Sequence, residues 1–156
     1  MIRFLKTDEL VKLLPLSAQV NALHEAEHPA QYRGDATADE VMGFFVERLK
    51  AGAVIFADVG AGETLRGILL AVPVVREASP FLHPARHVEL DQICVDNNFR
   101  GRGIGKALVA AMEAWMAQTN FREWKSMVHG FNTHSQNLML GQGAEVLGMR
   151  YHKTLG

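Results

Sequence analysis

A single cysteine, Cys94, leaves no partner for an internal disulfide and too few thiolates for a cysteine-only zinc site. Neither sign of charge is in excess: 16 Lys and Arg face 17 Asp and Glu, a net charge of −1 with histidine neutral. Nucleic acid and anionic membrane surfaces are bound by proteins with a basic surplus, so neither partner is expected. No apolar run approaches the ~20 residues of a membrane span, and the segment 1–8 lacks the apolar stretch of a signal peptide. Repeats, linkers and low-complexity segments are also missing. What is present is ordinary: 48% hydrophobic and 21% charged residues in 156. At that length folding buries roughly two-thirds of the surface the unfolded chain exposes, enough for a core without staples. These features point to a soluble, cytoplasmic protein with one domain spanning 1–156.

Hydrophobic periodicity orders the chain. A short strand over 2–5 precedes a helical pattern from Leu10 to Leu23, which Pro15 must break or kink. Residues 24–35 are polar. Thr37 and Glu40 form a capping box for a helix with the stripe Val41, Phe44, Phe45 and Leu49, stopped by Gly52. Strands over 53–59 and 64–75 flank the turn 60–63 as a hairpin. A loop over 78–86, a strand over 87–95 and a polar connection over 96–102 follow. Then come an amphipathic helix from Ile104 to about Thr119, a strand over 124–128, a short helix over 133–140 and a last strand over 144–154. The expected fold is α/β: a mixed, mostly antiparallel central sheet with helices on both faces.

The strand over 87–95 has a phase error. Val88 and Leu90 share one parity, Ile93 and Val95 the other. A strand of period two does this when one residue is inserted, so a β-bulge is expected near Asp91 and Gln92. Burial on both faces, where parity carries no information, is the alternative. A bulge would free backbone groups and make room for an extended ligand chain.

Directly after this strand comes Arg100-Gly101-Arg102-Gly103-Ile104-Gly105-Lys106, opening the amphipathic helix. Three glycines in five positions let amides turn toward one point. A helix N-terminus adds partial positive charge, and Arg100, Arg102 and Lys106 add formal charge. The pattern suits a pyrophosphate. A P-loop would need Gly where Arg100 stands and Ser or Thr where Ala107 stands. A dinucleotide fingerprint would need a glycine three residues after the second, where Lys106 or Leu108 stands.

The run from Ile93 to Leu108 resembles motif A of the GNAT superfamily of acyl-CoA-dependent N-acetyltransferases, with Arg100, Gly103 and Gly105 meeting its Gln/Arg-x-x-Gly-x-Gly/Ala pattern. Phe131-Asn132, Ser135 and Gly143 are similar in part to motif B. The resemblance implies acetyl-CoA as cosubstrate, its pyrophosphate on residues 100–106 and its pantetheine along the bulged strand at Ile93, Cys94 and Val95. It also implies that Asn132 and Ser135 contact the pantetheine arm, with a bulge in the fourth strand. Met139 stands where many relatives carry a Tyr that protonates the departing thiolate, and it has no proton to give.

Acetyl transfer to an amine requires a base, because a free alkyl ammonium has a pKa near ~10. Glu89 is the first candidate, by its match to a position where several relatives carry their base, and Asp91 the second, by its nearness to the bulge. His24, Glu25, Glu27, His28, Tyr32 and Arg33 fall where relatives line the acceptor pocket. His83 and His87 stand four apart, but Pro84 denies them a shared helix face, so no metal is expected. Cys94 reads as a buried strand residue. The leading expectation is an N-acetyltransferase that joins acetyl-CoA and a small-molecule or peptide amine in a ternary complex, with a homodimer expected by analogy. A non-catalytic CoA-binding or regulatory module and a nucleotide-phosphate-binding domain are the alternatives.

Overall fold

The computed structural model describes residues 1–156. One sheet runs in the order β1 (Ile2–Phe4), β2 (Val54–Val59), β3 (Leu65–Arg76), β4 (Ala85–Val95) and β5 (Trp124–Lys125). All neighbours are antiparallel except β4 and β5, which are parallel. Helices α1 (Leu14–Glu27) and α2 (Ala38–Lys50) cover one face. The other face carries α3 (Ile104–Gln118) with α4 (Thr133–Gly141) beside it. The mixed, mostly antiparallel sheet with helices on both faces is the architecture the sequence pattern implied.

Alternation along the strands sorts the core into two clusters. Ile55, Ala57, Ile68 and Leu70 meet Leu13, Leu16 and Phe45 on the α1–α2 side. Phe56, Leu69, Val88 and Leu90 meet Leu108, Val109 and Met112 on the α3 side. The helix starts follow local rules. Thr37 accepts from the Glu40 amide while the Glu40 carboxylate accepts from the Thr37 amide at 2.8 Å, the anticipated capping box. Pro15 does not kink a helix. A 3₁₀ segment, Thr7–Leu13, ends just before it, and Pro15 sits in the first turn of α1, where its missing N–H costs nothing.

The β3–β4 register jumps between Leu70, opposite Gln92, and Ala71, opposite Leu90. Asp91 is the extra residue. The insertion brings Ile93 and Val95 to the same α3 side as Val88 and Leu90, while Cys94 joins the opposite cluster.

Three expectations need correction. Helix α1 runs on to Glu27 through residues read as a polar stretch, because polarity alone does not stop a helix and no Gly or further Pro interrupts it before Pro29. β5 stops at Lys125 rather than 128, since β4 beyond Glu89 no longer offers it an edge. Residues 144–154 form no strand and carry no regular structure.

Gly67 on β3 lets α3 approach the sheet. A Cβ there would lie 3.0 Å from the Cys94 carbonyl oxygen, 3.0 Å from Ile104 Cγ2 and 3.2 Å from Leu108 Cδ1. Gly67→Ala is therefore expected to destabilise the fold by ~1–3 kcal/mol, the usual cost of overpacking. An unchanged urea midpoint would show that α3 yields freely.

Candidate functional site

The bulge decides where β4 and β5 part. They pair only at Val88 with Trp124 and Glu89 with Lys125. Past that point a single bond, Ser126 Oγ donating to the Leu90 carbonyl at 3.0 Å, links them. Between the diverging strands opens a cleft of about 320 Å³ lined by Asp91, Gln92, Ile93, Asn132, Ser135 and Met139, with His24 and Tyr32 from the α1 side. Met139 is buried, at 7% exposure. Asn132 caps α4, its Oδ1 accepting from the Ser135 amide at 3.1 Å, so its side-chain NH₂ stays free to donate.

A second cleft, of about 660 Å³, lies between α1 and α2. Ser17, Asn21 and Gln92 line both clefts, so the two meet over the bulge. Glu25 and Glu40 are the only charged residues lining the second one. The Glu40 carboxyl is held below its ordinary range by the Thr37 amide and hydroxyl and by Arg33. Phe44 and Phe45 supply an apolar wall.

On the far side of β4 the glycine loop enters α3. Gly101 and Gly103 adopt φ of 74° and 76°, the left-handed region, and space above both is open. Gly103 is the N-cap of α3, and no side chain caps the helix, which leaves its first amides exposed. Arg100, Arg102 and Lys106 surround this end, none ion-paired; Arg100 Nε donates to the Val95 carbonyl at 3.3 Å and Arg102 lies 5.3 Å from the Phe99 ring centre. Gly105 serves packing instead, since a Cβ there would stand 3.2 Å from Leu138, and Ile104 is a core residue. Gln19 on α1 latches the loop by donating to Asp96 at 3.0 Å and accepting from the Asn97 amide at 3.2 Å.

The two candidate bases separate. Asp91 lines the first cleft, with a side chain 26% exposed and Arg48 at 3.8 Å. Glu89 lines neither cleft and lies 3.5 Å from His87 Nε2. Cys94 points away from both clefts; its thiol donates to the Leu16 carbonyl at 3.3 Å, and burial pushes its pKa up to about 11. Of the proposed acceptor-side residues, Glu25 reaches the second cleft, Glu27 reaches neither, and Arg33 pairs with Asp35 at 2.9 Å.

Sequence reasoning missed His129. Tyr32 Oη lies 2.6 Å from its Nε2, joining the segment after α1 to the one before α4. The ring stacks on Phe131 and sits 5.3 Å from His24 and 5.1 Å from His28. Gln136 Nε2 fixes this segment by donating to the His129 and Gly130 carbonyls. Burial first, then the charges of His24 and His28, hold the His129 pKa below the ordinary imidazole value. Its position directly before the Phe131-Asn132 motif was the available signal.

The family model described as Acetyltransferase (GNAT) family matches residues 18–143. No curated protein matched the sequence. Among solved structures, a tetramutant of the BH1408 protein from Bacillus halodurans superposes with a TM-score of 0.89 at 18% identity, covering 99% of each chain. Aminoglycoside N-acetyltransferase AAC(6')-Iy in complex with a CoA-linked bisubstrate analogue gives 0.74 at 24% identity over 99% of this chain and 98% of that one. The aminoglycoside 6'-N-acetyltransferase AAC(6')-Ih from Acinetobacter baumannii gives 0.74 at 17% over 100% and 99%. At these identities the likeness concerns the fold.

A histidine with a depressed folded pKa favours the native state while neutral. Its contribution is present above the unfolded value of ~6.5 and is lost as pH falls toward the folded one. Urea midpoints should therefore drop as pH falls below the unfolded value of ~6.5, and His129→Gln should flatten that slope. An equal slope in the variant would remove His129 as its source.

Proposed function

The chain belongs to the GNAT acetyltransferase family, and on that premise we propose that it transfers the acetyl group of acetyl-CoA to a primary amine of a cationic small molecule by direct attack. The observation that carries this reading is the meeting of two clefts over one bulge. The first suits an extended thioester arm, with Ile93, Asn132 and Ser135 along it and the uncapped glycine loop beyond for the pyrophosphate. The second has a volume typical of small-molecule sites, and its carboxylates favour an ammonium-bearing acceptor. Neighbours named as aminoglycoside acetyltransferases support an acceptor of that polycationic kind.

In the proposed reaction the ammonium first loses a proton to Asp91, directly or through water. The neutral nitrogen attacks the thioester carbonyl carbon. A C–N bond forms, the C–S bond breaks and CoA departs as a thiolate. The nitrogen releases a second proton as the amide forms, which balances the proton the thiolate takes up. Amides freed at the bulge polarise the carbonyl oxygen. Tyr32 takes the part of the tyrosine missing at Met139: it is the only tyrosine lining the first cleft, and its hydroxyl is held against His129 Nε2. Tyr151 plays no such part, since it lies 86% exposed in the C-terminal segment. Glu89 stands behind Asp91 as the second candidate base.

Thiol release during a screen of amines, polycationic ones included, tests the reading. Tight acetyl-CoA binding with no release from any amine would favour a non-catalytic CoA-binding module instead. Gly103→Asp places a carboxylate against the loop and should weaken acetyl-CoA binding at least tenfold, given ~1.5–3 kcal/mol for each charge-assisted bond lost. Unaltered affinity by calorimetry would refute the phosphate assignment.

Asp91→Asn should lower kcat by roughly 10²–10⁴ with acetyl-CoA affinity kept, whereas Glu89→Gln should have little effect. Tyr32→Phe should cost nearer tenfold, because a thiolate of pKa ~8.5 leaves tolerably without an acid. A full rate in Asp91→Asn would transfer the base role to Glu89.

A further inference from the structure

Past the end of β5, residues 126–131 carry neither strand nor helix and form a strap along one wall of the first cleft, where Met127, Val128 and His129 line it. Ser126 ties the start of the strap to β4 through the Leu90 carbonyl. Across the cleft the strap is held by side chains alone. Tyr32 Oη meets His129 Nε2 at 2.6 Å, and no other hydrogen bond joins the strap to α1 or to the segment after it. The rest of the grip is ring packing. His24 lies 5.3 Å from His129 and 5.6 Å from Phe131, and His28 lies 5.1 Å and 5.4 Å from the same two rings.

Three imidazoles therefore meet in one aromatic cluster, and no acid is placed to neutralise them. The only histidine with a carboxylate oxygen within 4 Å is His87, on β4. Among the charged groups of the surrounding elements, Glu25 turns into the second cleft, Glu27 is exposed and Arg33 is paired with Asp35. Asp91 faces Arg48 at 3.8 Å, and α4 adds only the exposed His134. Hydrogen bonds set where protons can go. His24 Nδ1 lies 2.9 Å from the Val20 carbonyl, which can only accept, so Nδ1 carries the ring hydrogen and Nε2 is left to take another. Neutral His129 accepts from the Tyr32 hydroxyl, and a protonated His129 donates to it instead, so one proton reverses this bond without breaking it. A charge on His129 together with one on His24 or His28 is different. It sets like charges 5.1–5.3 Å apart on packed rings, inside the ~8 Å screening length of physiological salt. Protons reach such rings as pH falls below the ordinary imidazole value of ~6.5.

We propose that His24, His28 and His129 form an acid-released clasp on the first cleft: the neutral cluster holds the strap against α1, and the multiply protonated one lets it go and widens the cleft. Release is local, because it separates rings and one hydrogen bond while the ladder of β3 and β4 and the packing of α3 stay as they are. It is reversible for the same reason. The clasp itself does not depend on the acetyl-transfer reading; its effect on a bound pantetheine arm rests on that reading.

Nitrogen-15 relaxation of the ligand-free protein tests the clasp directly. Order parameters over 127–131 should be near ~0.85 at pH 7.5 and fall below ~0.6 at pH 5.5, with β3 and β4 rigid at both. The double variant His24→Gln/His28→Gln removes two of the three charges and should keep the strap rigid at pH 5.5. The single variant His28→Gln should reduce the loosening, and it serves if the double variant folds poorly. In stopped-flow displacement CoA should leave roughly tenfold faster at pH 5.5 than at pH 7.5, as one lost hydrogen bond would give, and the double variant should lose that acceleration. Three outcomes would overturn the proposal: a strap equally rigid at both pH values, the same loosening in the variants, or loosening of β3 and β4 along with the strap, which is unfolding and not release. A protein that binds no CoA at either pH while its strap still loosens in acid would sink the acetyl-CoA reading and leave the clasp standing.

Discussion

One inserted residue sets the geometry of this molecule. With Asp91 as an extra member of β4, the strand changes parity and stays in register with β3 on both sides of the insertion. A bulge bends its strand and raises the local twist. Its neighbour on the far side, β5, pairs only with the residues that precede the insertion. The ladder cost is small, a few pairs never formed, and in return a cleft opens where a sheet would otherwise be closed. Gln92, next to the insertion, lines both clefts, and the Asp91 carboxylate lines the first.

The strand is also the support on which other site elements hang. It leads into the loop whose left-handed glycines turn the chain into α3, and α3 is seated by Gly67, where a side chain would push Ile104 and Leu108 off the sheet. On the opposite face Gln19 ties α1 to the same loop through Asp96 and Asn97. The wall of the second cleft is thus fixed to the entrance of the first. A change in core packing under α3 would therefore be felt at the site without touching a site residue.

Local signals made part of this legible in sequence. Glycine spacing and the parity change between Leu90 and Ile93 each describe a few adjacent residues, and each located a real feature. The strand expected over 144–154 did not form, since alternation alone supplies no neighbouring strand to pair with. The shortening of β5 was not readable, because its cause lies on another strand: apolar residues at 124–128 promise a strand, but β4 withdraws its edge. The second cleft was hidden for a similar reason. Glu25, Glu40 and Gln92 come from three separate elements, and nothing in their own neighbourhoods marks them as one surface. The Tyr32–His129 contact crosses most of the chain and left only one hint, the ring beside Phe131 and Asn132.

The near-neutral composition conceals an uneven field. Sixteen basic and 17 acidic residues cancel over the whole chain, but Arg100, Arg102 and Lys106 surround an uncapped helix end while two carboxylates line the second cleft. At physiological ionic strength a charge in water is screened beyond ~8 Å. Each site therefore responds to its own few residues and not to the net charge of −1. The local charges favour an anion at the end of the bulged strand and a cation beside its middle. On the proposed reading, that arrangement would let one small sheet hold ligands of opposite charge. Total charge therefore says nothing about either site.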